Sequence, residues 1–201
     1  MRSLSRLLAA AALAVLTVPA GAQTRAKWSV QGSALFAGLG GGAYSGIDPG
    51  AGFELQVRAR ITPTWSLGCG FQGTYHSLTS FIGDVKLQGL FCEPRKLIDI
   101  QSDKIFPYVS ARGAVLRQNL TSGPVSSSAD GGTINVGAGV MIPFGPATSK
   151  FPTVLELGGS AGYTSFGDYS SVTGGQASTG PTGGGYNFVL RAGIAVGLPT
   201  G

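Results

Sequence analysis

The stretch "GFELQVRARIT", residues 52–62, limits what this chain can become more than any other. Phe53, Leu55, Val57, Ala59 and Ile61 alternate with Glu54, Gln56, Arg58 and Arg60. A period of two belongs to an extended strand, whose successive side chains point to opposite faces. One face here is apolar throughout, and the other carries three charges. Such a strand can lie between a protein core and water, or between lipid and a polar interior. The rest of the chain decides which.

The same period recurs from residue 28 onward. Trp28, Val30, Gly32, Ala34 and Phe36 alternate with Ser29, Gln31 and Ser33, and the quoted stretch follows as a second strand. A third sets Trp65, Leu67, Cys69, Phe71 and Tyr75 against Ser66, Gly68, Gly70, Gln72, Thr74 and His76. The fourth, "DVKLQGLFC", is read with Val85, Leu87, Gly89 and Phe91 on the apolar side and Lys86, Gln88, Leu90 and Cys92 opposite. Residues 93–105 are the least regular part and read as a longer turn or as strand extensions. The fifth, sixth, seventh and eighth strands are "PYVSARGAVLR", "TINVGAGVMI", "TVLELGGSAGYT" and "YNFVLRAGIAVGL". No helical period intervenes.

Connections alternate in kind as well. Long Gly/Ser-rich stretches follow strands one, three, five and seven, whereas mostly shorter or proline-bearing breaks follow strands two, four and six. The fourth-to-fifth connection, about a dozen residues, departs from this rule. Long loops at one end and tight turns at the other suit an up-and-down barrel whose two ends face different compartments.

The identity of the polar faces settles the choice of surroundings. A strand face meeting water usually carries many charges, yet Asp, Glu, Lys and Arg make up only 11% of this chain, and 34 residues are glycine. The polar faces are mostly Gly, Ser, Thr, Asn and Gln, which suit a narrow interior of eight strands. The apolar faces are nearly free of charge, as lipid contact requires. Trp28, Trp65, Tyr75, Tyr108, Tyr163 and Tyr186 lie near strand ends, where an interfacial aromatic belt is expected. In lipid an unpaired backbone N–H or C=O costs several kcal/mol, so the sheet must close on itself. The expectation is an all-β protein, an eight-stranded antiparallel up-and-down transmembrane β-barrel. Glu54, Arg58, Arg60, Lys86, Arg112, Glu156 and Arg191 then point inward as an interior polar network, with Arg60 alternatively reaching the short-turn rim. Each glutamate is expected to accept from at least one cation, because buried charges must be paired.

The chain opens with "MRSLSRLLAAAALAVLTVPAGAQ". Arg2 and Arg6, an apolar run from Leu7 to Val18, and Ala20-Gly21-Ala22 have the pattern of an export signal cleaved after Ala22. The run is too short to span about 30 Å of hydrocarbon as a helix. Residues 1–22 are therefore read as a signal peptide and 23–201 as the barrel domain. Cys69 and Cys92 are the only cysteines. With the faces assigned above they point apart, which leaves two small apolar thiols unless a register slip or bulge brings them together. No basic run exceeds two residues, so nucleic acid is not an expected partner.

The end of the chain, "RAGIAVGL", carries a polar residue, a glycine two positions on, and hydrophobic residues five and seven positions on: Arg191, Gly193, Val196 and Leu198. "FPYVSARGAV" adds a Pro-Tyr followed by alternating small residues. In these features the chain resembles the small outer-membrane β-barrel proteins of diderm bacteria, the group that includes the barrel domain of outer membrane protein A. The resemblance covers residues 23–201. It departs from the family where Leu198 stands in place of the usual aromatic and Pro199-Thr200-Gly201 trails beyond it. It implies recognition of the last strand by the barrel-assembly machinery, residence in the bacterial outer membrane among lipids that include lipopolysaccharide, and a monomer without cofactors.

Three functional classes follow. The first is a non-enzymatic outer-membrane barrel with a structural or surface-interaction role, a polar plugged interior and Gly/Ser-rich extracellular loops. The second is an exported soluble barrel of lipocalin type, binding small apolar ligands, with the faces inverted. The third is an outer-membrane enzyme acting on lipid A. Its catalytic group would be His76, the only histidine, with Ser77 beside it and Asp84 across the loop. Adjacent residues on a strand face opposite ways, which disfavours that pair. No catalytic, cofactor-binding or metal-ligating residue is assigned.

Overall fold

The alternating segments form ten strands: β1 (Trp28–Gly40), β2 (Gly50–Arg60), β3 (Trp65–Ser77), β4 (Asp84–Leu97), β5 (Phe106–Ser122), β6 (Val125–Phe144), β7 (Thr153–Phe166), β8 (Tyr169–Thr173), β9 (Gln176–Gly180) and β10 (Gly184–Gly197). The computed structural model describes residues 26–199 apart from 80–82, 101, 103, 145–148, 174–175 and 181–182. The expected export signal, residues 1–22, lies outside the described residues.

Eight of these strands close a barrel in the order β1-β2-β3-β4-β5-β6-β7-β10. Every neighbouring pair is antiparallel, and β10 returns to β1 from Ser29 opposite Gly197 to Gly40 opposite Tyr186. The barrel strands run from 11 to 20 residues, at least the roughly 9–11 that a tilted crossing needs. Around the wall Phe53, Leu55, Val57, Val115, Ile134, Val136, Leu190 and Ile194 point outward and are exposed, whereas Gln31, Glu54, Gln56, Asn135 and Glu156 are buried inside. The molecule is thus apolar outside and polar inside, the reverse of a water-soluble barrel.

Two strands outgrow the wall. The segment "QNLTSGPVSSSADGG", expected as a loop, instead continues β5 and β6 as a hairpin with register pairs as far as Ser122 and Val125. Gly123 at its turn has φ 55°, a left-handed conformation that glycine takes without a Cβ penalty. The small hairpin β8–β9 adds to the first residues of β6, Ser128 facing Ser170. Serine, threonine and valine there support an extended ladder as well as a loop.

At the long-loop end the interior changes character. Tyr44, Val85, Leu87, Leu116, Ala129 and Phe166 form a buried apolar cluster. Tyr44 comes from a short 3-10 turn, Gly42–Tyr44, and its hydroxyl donates to the Thr164 carbonyl oxygen at 3.3 Å. Burial, aided by the neighbouring Tyr163, pushes the Tyr44 phenol up to about 12, so it stays protonated as a donor.

This cluster explains why the faces of β4 are the reverse of those expected. Val85, Leu87 and Phe91 point inward, and Lys86, Gln88, Leu90 and Cys92 point outward. The apolar side of β4 is internal near the long loops, where the barrel has a small core. Further along, Leu90 and Cys92 are the outward pair and Glu93 and Arg95 the inward one. The phase of the pattern changes within the strand because its surroundings change along its length. Lys86 therefore does not join the interior network; its ammonium lies outside, 5.3 Å from the centre of the Tyr75 ring.

The same reversal brings the cysteines together. Cys69 and Cys92 face each other across β3 and β4 and form a disulfide on the outer wall, with Cα atoms 4.1 Å apart. No slip or bulge is required, since the register runs unbroken from Trp65–Lys96 to Ser77–Asp84. The oxidised, folded protein is expected to take up no thiol reagent in detergent and to take up two equivalents after reduction, as counted by mass spectrometry. One or more equivalents before reduction would contradict the bridge.

Candidate functional site

The centre of the barrel is a cluster of glutamates and arginines supplied by strands around the whole wall. Glu93 of β4 is its hub. Its Oε2 accepts from Arg112 Nε at 2.8 Å and from Arg191 Nη1 at 2.7 Å, its Oε1 accepts from Arg191 Nη2 at 3.0 Å, and Arg95 Nε also donates to Oε1. Glu156 of β7 is held by Arg95 through both guanidinium Nη atoms, one of them at 2.7 Å. The Tyr108 hydroxyl donates to Glu156 at 3.0 Å, and Arg191 Nε lies 3.2 Å from it. Glu54 of β2 accepts from Arg112 Nη2 at 2.7 Å.

Aromatic rings complete the cluster. The Arg95 guanidinium carbon sits 4.3 Å from the centre of the Tyr108 ring, and that of Arg112 sits 3.9 Å from the Phe91 ring. Stacked guanidinium groups keep their in-plane donors free for carboxylates. Alternation places all these groups inside, because Glu93, Arg95, Tyr108, Arg112, Glu156 and Arg191 each occupy an inward position of their strand.

Of the residues expected inside, Glu54, Arg58, Arg112, Glu156 and Arg191 are buried there. Arg60 is half-buried at the short-turn end of β2 and lines the mouth. Glu93 and Arg95, the most central pair, were not among them. The segment that holds them, "EPRKLIDI", carries a proline and no clear alternation of hydrophobicity. The signal was charge alternation, Glu93 and Arg95 two apart with Lys96 outside, continuing the inward phase of Phe91. Tyr108, expected in the interfacial belt, is buried against the network instead. Its hydroxyl gains an anionic acceptor there, which the outer wall would not supply.

His76 is not a water-washed rim residue. It is buried, its Nε2 is 2.9 Å from Thr74 Oγ1, and its Nδ1 is 3.1 Å from the Asp48 carbonyl oxygen. Together with the Thr79 hydroxyl donating to Asp48 Oδ1 at 2.9 Å, it pins the first long loop to the end of β3. Ser77 faces the opposite way and pairs with Asp84 across the strands, so the three residues form no nucleophile–base–acid relay.

At the last strand, Gly193 packs tightly against β1. A Cβ there would lie 2.2 Å from Ser33 Oγ and 2.7 Å from the Gly32 carbonyl oxygen, so the seam between first and last strands requires a residue without a side chain at this point.

Two small cavities lie on either side of the cluster. One, of about 90 Å³, opens at the short-turn end. The other, of about 30 Å³, lies toward the long loops beneath Leu87 and Leu116. Beside it Asn135, Asn187, Thr133 and Thr164 hydrogen-bond to one another across three strands.

No family model and no curated protein matches the chain. Among solved structures, the chain is similar to Neisserial surface protein A, at 20% identity and a TM-score of 0.55 over 86% of this chain and 97% of that one. It is also similar to the outer membrane protein OprG from Pseudomonas aeruginosa, at 10% identity and a TM-score of 0.56 over 92% and 100%. A major outer membrane protein from Thermus thermophilus aligns at 14% identity and a TM-score of 0.50 over 84% and 98%. Apolar outer wall, closed ladder and these likenesses agree: the chain has the fold of the small eight-stranded outer-membrane β-barrels.

Proposed function

We propose that this protein is a non-enzymatic outer-membrane barrel with a structural or surface-interaction role, its short-turn end toward the periplasm and its long loops outside. The observation that carries this reading is the inverted exposure, with an apolar wall around an interior of paired charges. A soluble carrier of apolar ligands would need the opposite arrangement. The interior cluster acts as a plug that fixes the strands in register. Arg95, Arg112 and Arg191 bind Glu156, Glu54 and Glu93 across the lumen, while Arg58 donates to Gln56 on its own strand, and eight strands leave room inside only for side chains.

The outer wall contacts membrane lipid, with lipopolysaccharide in the outer leaflet, and the protein works as a monomer. Arg191, Gly193, Val196 and Leu198 form the segment that the barrel-assembly machinery reads. Loops on a rigid scaffold are where binding resides in such proteins, and the extended β5–β6 hairpin with β8–β9 is a surface they offer.

Fractionation of producing cells tests the assignment. The protein is expected in outer membranes and should migrate differently on gels before and after boiling. In planar bilayers it is expected to give no steady open channel. Recovery from the soluble periplasm, or a large sustained conductance, would overturn the reading.

A further inference from the structure

The charges of the interior do not cancel. Four buried arginines (Arg58, Arg95, Arg112, Arg191) meet three buried glutamates (Glu54, Glu93, Glu156), and the surplus cation has an address. Among the described residues Arg95, Arg112 and Arg191 each reach a glutamate, but Arg58 reaches none. Its guanidinium donates only to Gln56 Oε1 at 2.9 Å and to Ser66 Oγ at 3.4 Å, although the residue is only 8% exposed. Glu156 and Glu93 attract it only from beyond ion-pair distance, while Arg95 and Arg191 repel it, so the guanidinium has lost most of its hydration with no carboxylate in contact, which is costly.

Arg58 borders the cavity of about 90 Å³ at the short-turn end. Ser29, Gln31, Arg60 and Ser66 supply its other polar groups, and no acidic residue lines it. Gln31 is buried and has one amide atom without a partner. Its other amide atom meets the Ser33 hydroxyl, which can donate or accept, so either end of the amide can face the cavity. A water occupies about 30 Å³ in the liquid, so the space admits one compact anion of a few heavy atoms. The approach carries a net positive charge as well. Lys27, Lys96, Lys104 and Lys150 are exposed and flank the strand ends on this side, with Asp99 the acid described among them, and a net positive mouth concentrates anions.

We propose that the short-turn mouth of the barrel binds a small oxyanion, a phosphate or carboxylate group, seated on Arg58 with Ser66 and the Gln31 amide as further partners. The bound group supplies the missing counter-charge, so occupancy and barrel stability are linked. The site does not depend on what the long loops do, and it stands or falls separately from the role proposed above.

The test measures the unfolding temperature of the refolded barrel in a neutral detergent, with inorganic phosphate or acetate titrated against sodium chloride at equal ionic strength. The wild type is expected to gain a saturable upward shift with at least one oxyanion beyond that given by chloride. Phosphate alone, acetate alone or both would each support the site and identify which headgroup it prefers. Arg58→Gln is expected to lose the response. Ala195→Leu fills the same cavity without altering a charge and should lose it too, which covers the case in which Arg58→Gln fails to fold. Arg117→Gln, in the exposed ion pair of the outer hairpin, should keep it. No oxyanion-specific shift in the wild type, or an undiminished shift in Ala195→Leu, would overturn the proposal.

Discussion

Glu93→Ala is expected to destabilise the barrel by about 3–5 kcal/mol, the range for breaking a buried ion pair by removing one partner. Glu93 touches three arginines, so its loss strands more positive charge than the loss of either other glutamate. Arg95 keeps Glu156 and Arg112 keeps Glu54, but the interior would then hold four cations against two anions. Reversible urea unfolding into vesicles reads the effect as a lower midpoint. Glu93→Gln should fall between wild type and Glu93→Ala, because the amide retains an acceptor but loses the charge. Combining Glu93→Gln with Arg112→Met should recover part of the loss by removing one stranded cation. The exposed pair Arg117–Asp130 offers the contrast: Asp130→Asn should leave the midpoint unchanged, as is usual for surface ion pairs. An equal fall for Glu93→Ala and Asp130→Asn would show that the central cluster does not hold the strands.

The second large effect is expected from the outer wall. Val136 on β6 is 68% exposed on a face it shares with Ile134 and Ala138, and in a bilayer that face meets acyl chains. Val136→Arg should cost about 2–4 kcal/mol if the site lies near the midplane, and less toward either interface. Asn135→Ser, one residue away but inside, disturbs only the polar cluster with Asn187 and should act through hydrogen bonding, independently of lipid thickness. Val136→Arg is therefore expected to be more damaging in vesicles of longer-chain lipid, and Asn135→Ser equally damaging in both. If Val136→Arg is neutral in vesicles, that face does not contact the hydrocarbon.

Much of this architecture could be read from alternation alone. Seven of the eight wall strands have the expected inward and outward faces, because each meets lipid outside and small or polar groups inside along most of its length. β4 did not yield to that rule. Its inward side is apolar at Val85 and Leu87 and charged at Glu93 and Arg95, so one face assigned to the whole strand had to fail. The disulfide was misread for the same reason. Glu93 and Arg95 were hidden by Pro94 and the irregular residues after it, although the ladder continues through them. The partners of each charge were beyond reach of the pattern. Which arginine meets which glutamate depends on the tilt and stagger of the closed wall, and alternation alone does not tell that Arg58 has no carboxylate in contact.

The pairing of β1 with β10 bears on how the molecule is made. Ser29 and Gly197 become neighbours although nearly the whole described chain separates them, so the final seam cannot zip until every other strand has been synthesised. Until then both margins of the growing ribbon are bare and able to recruit foreign strands. Such a polypeptide folds slowly for reasons of topology alone, and masking those margins would aid its nascent form more than help with any local turn.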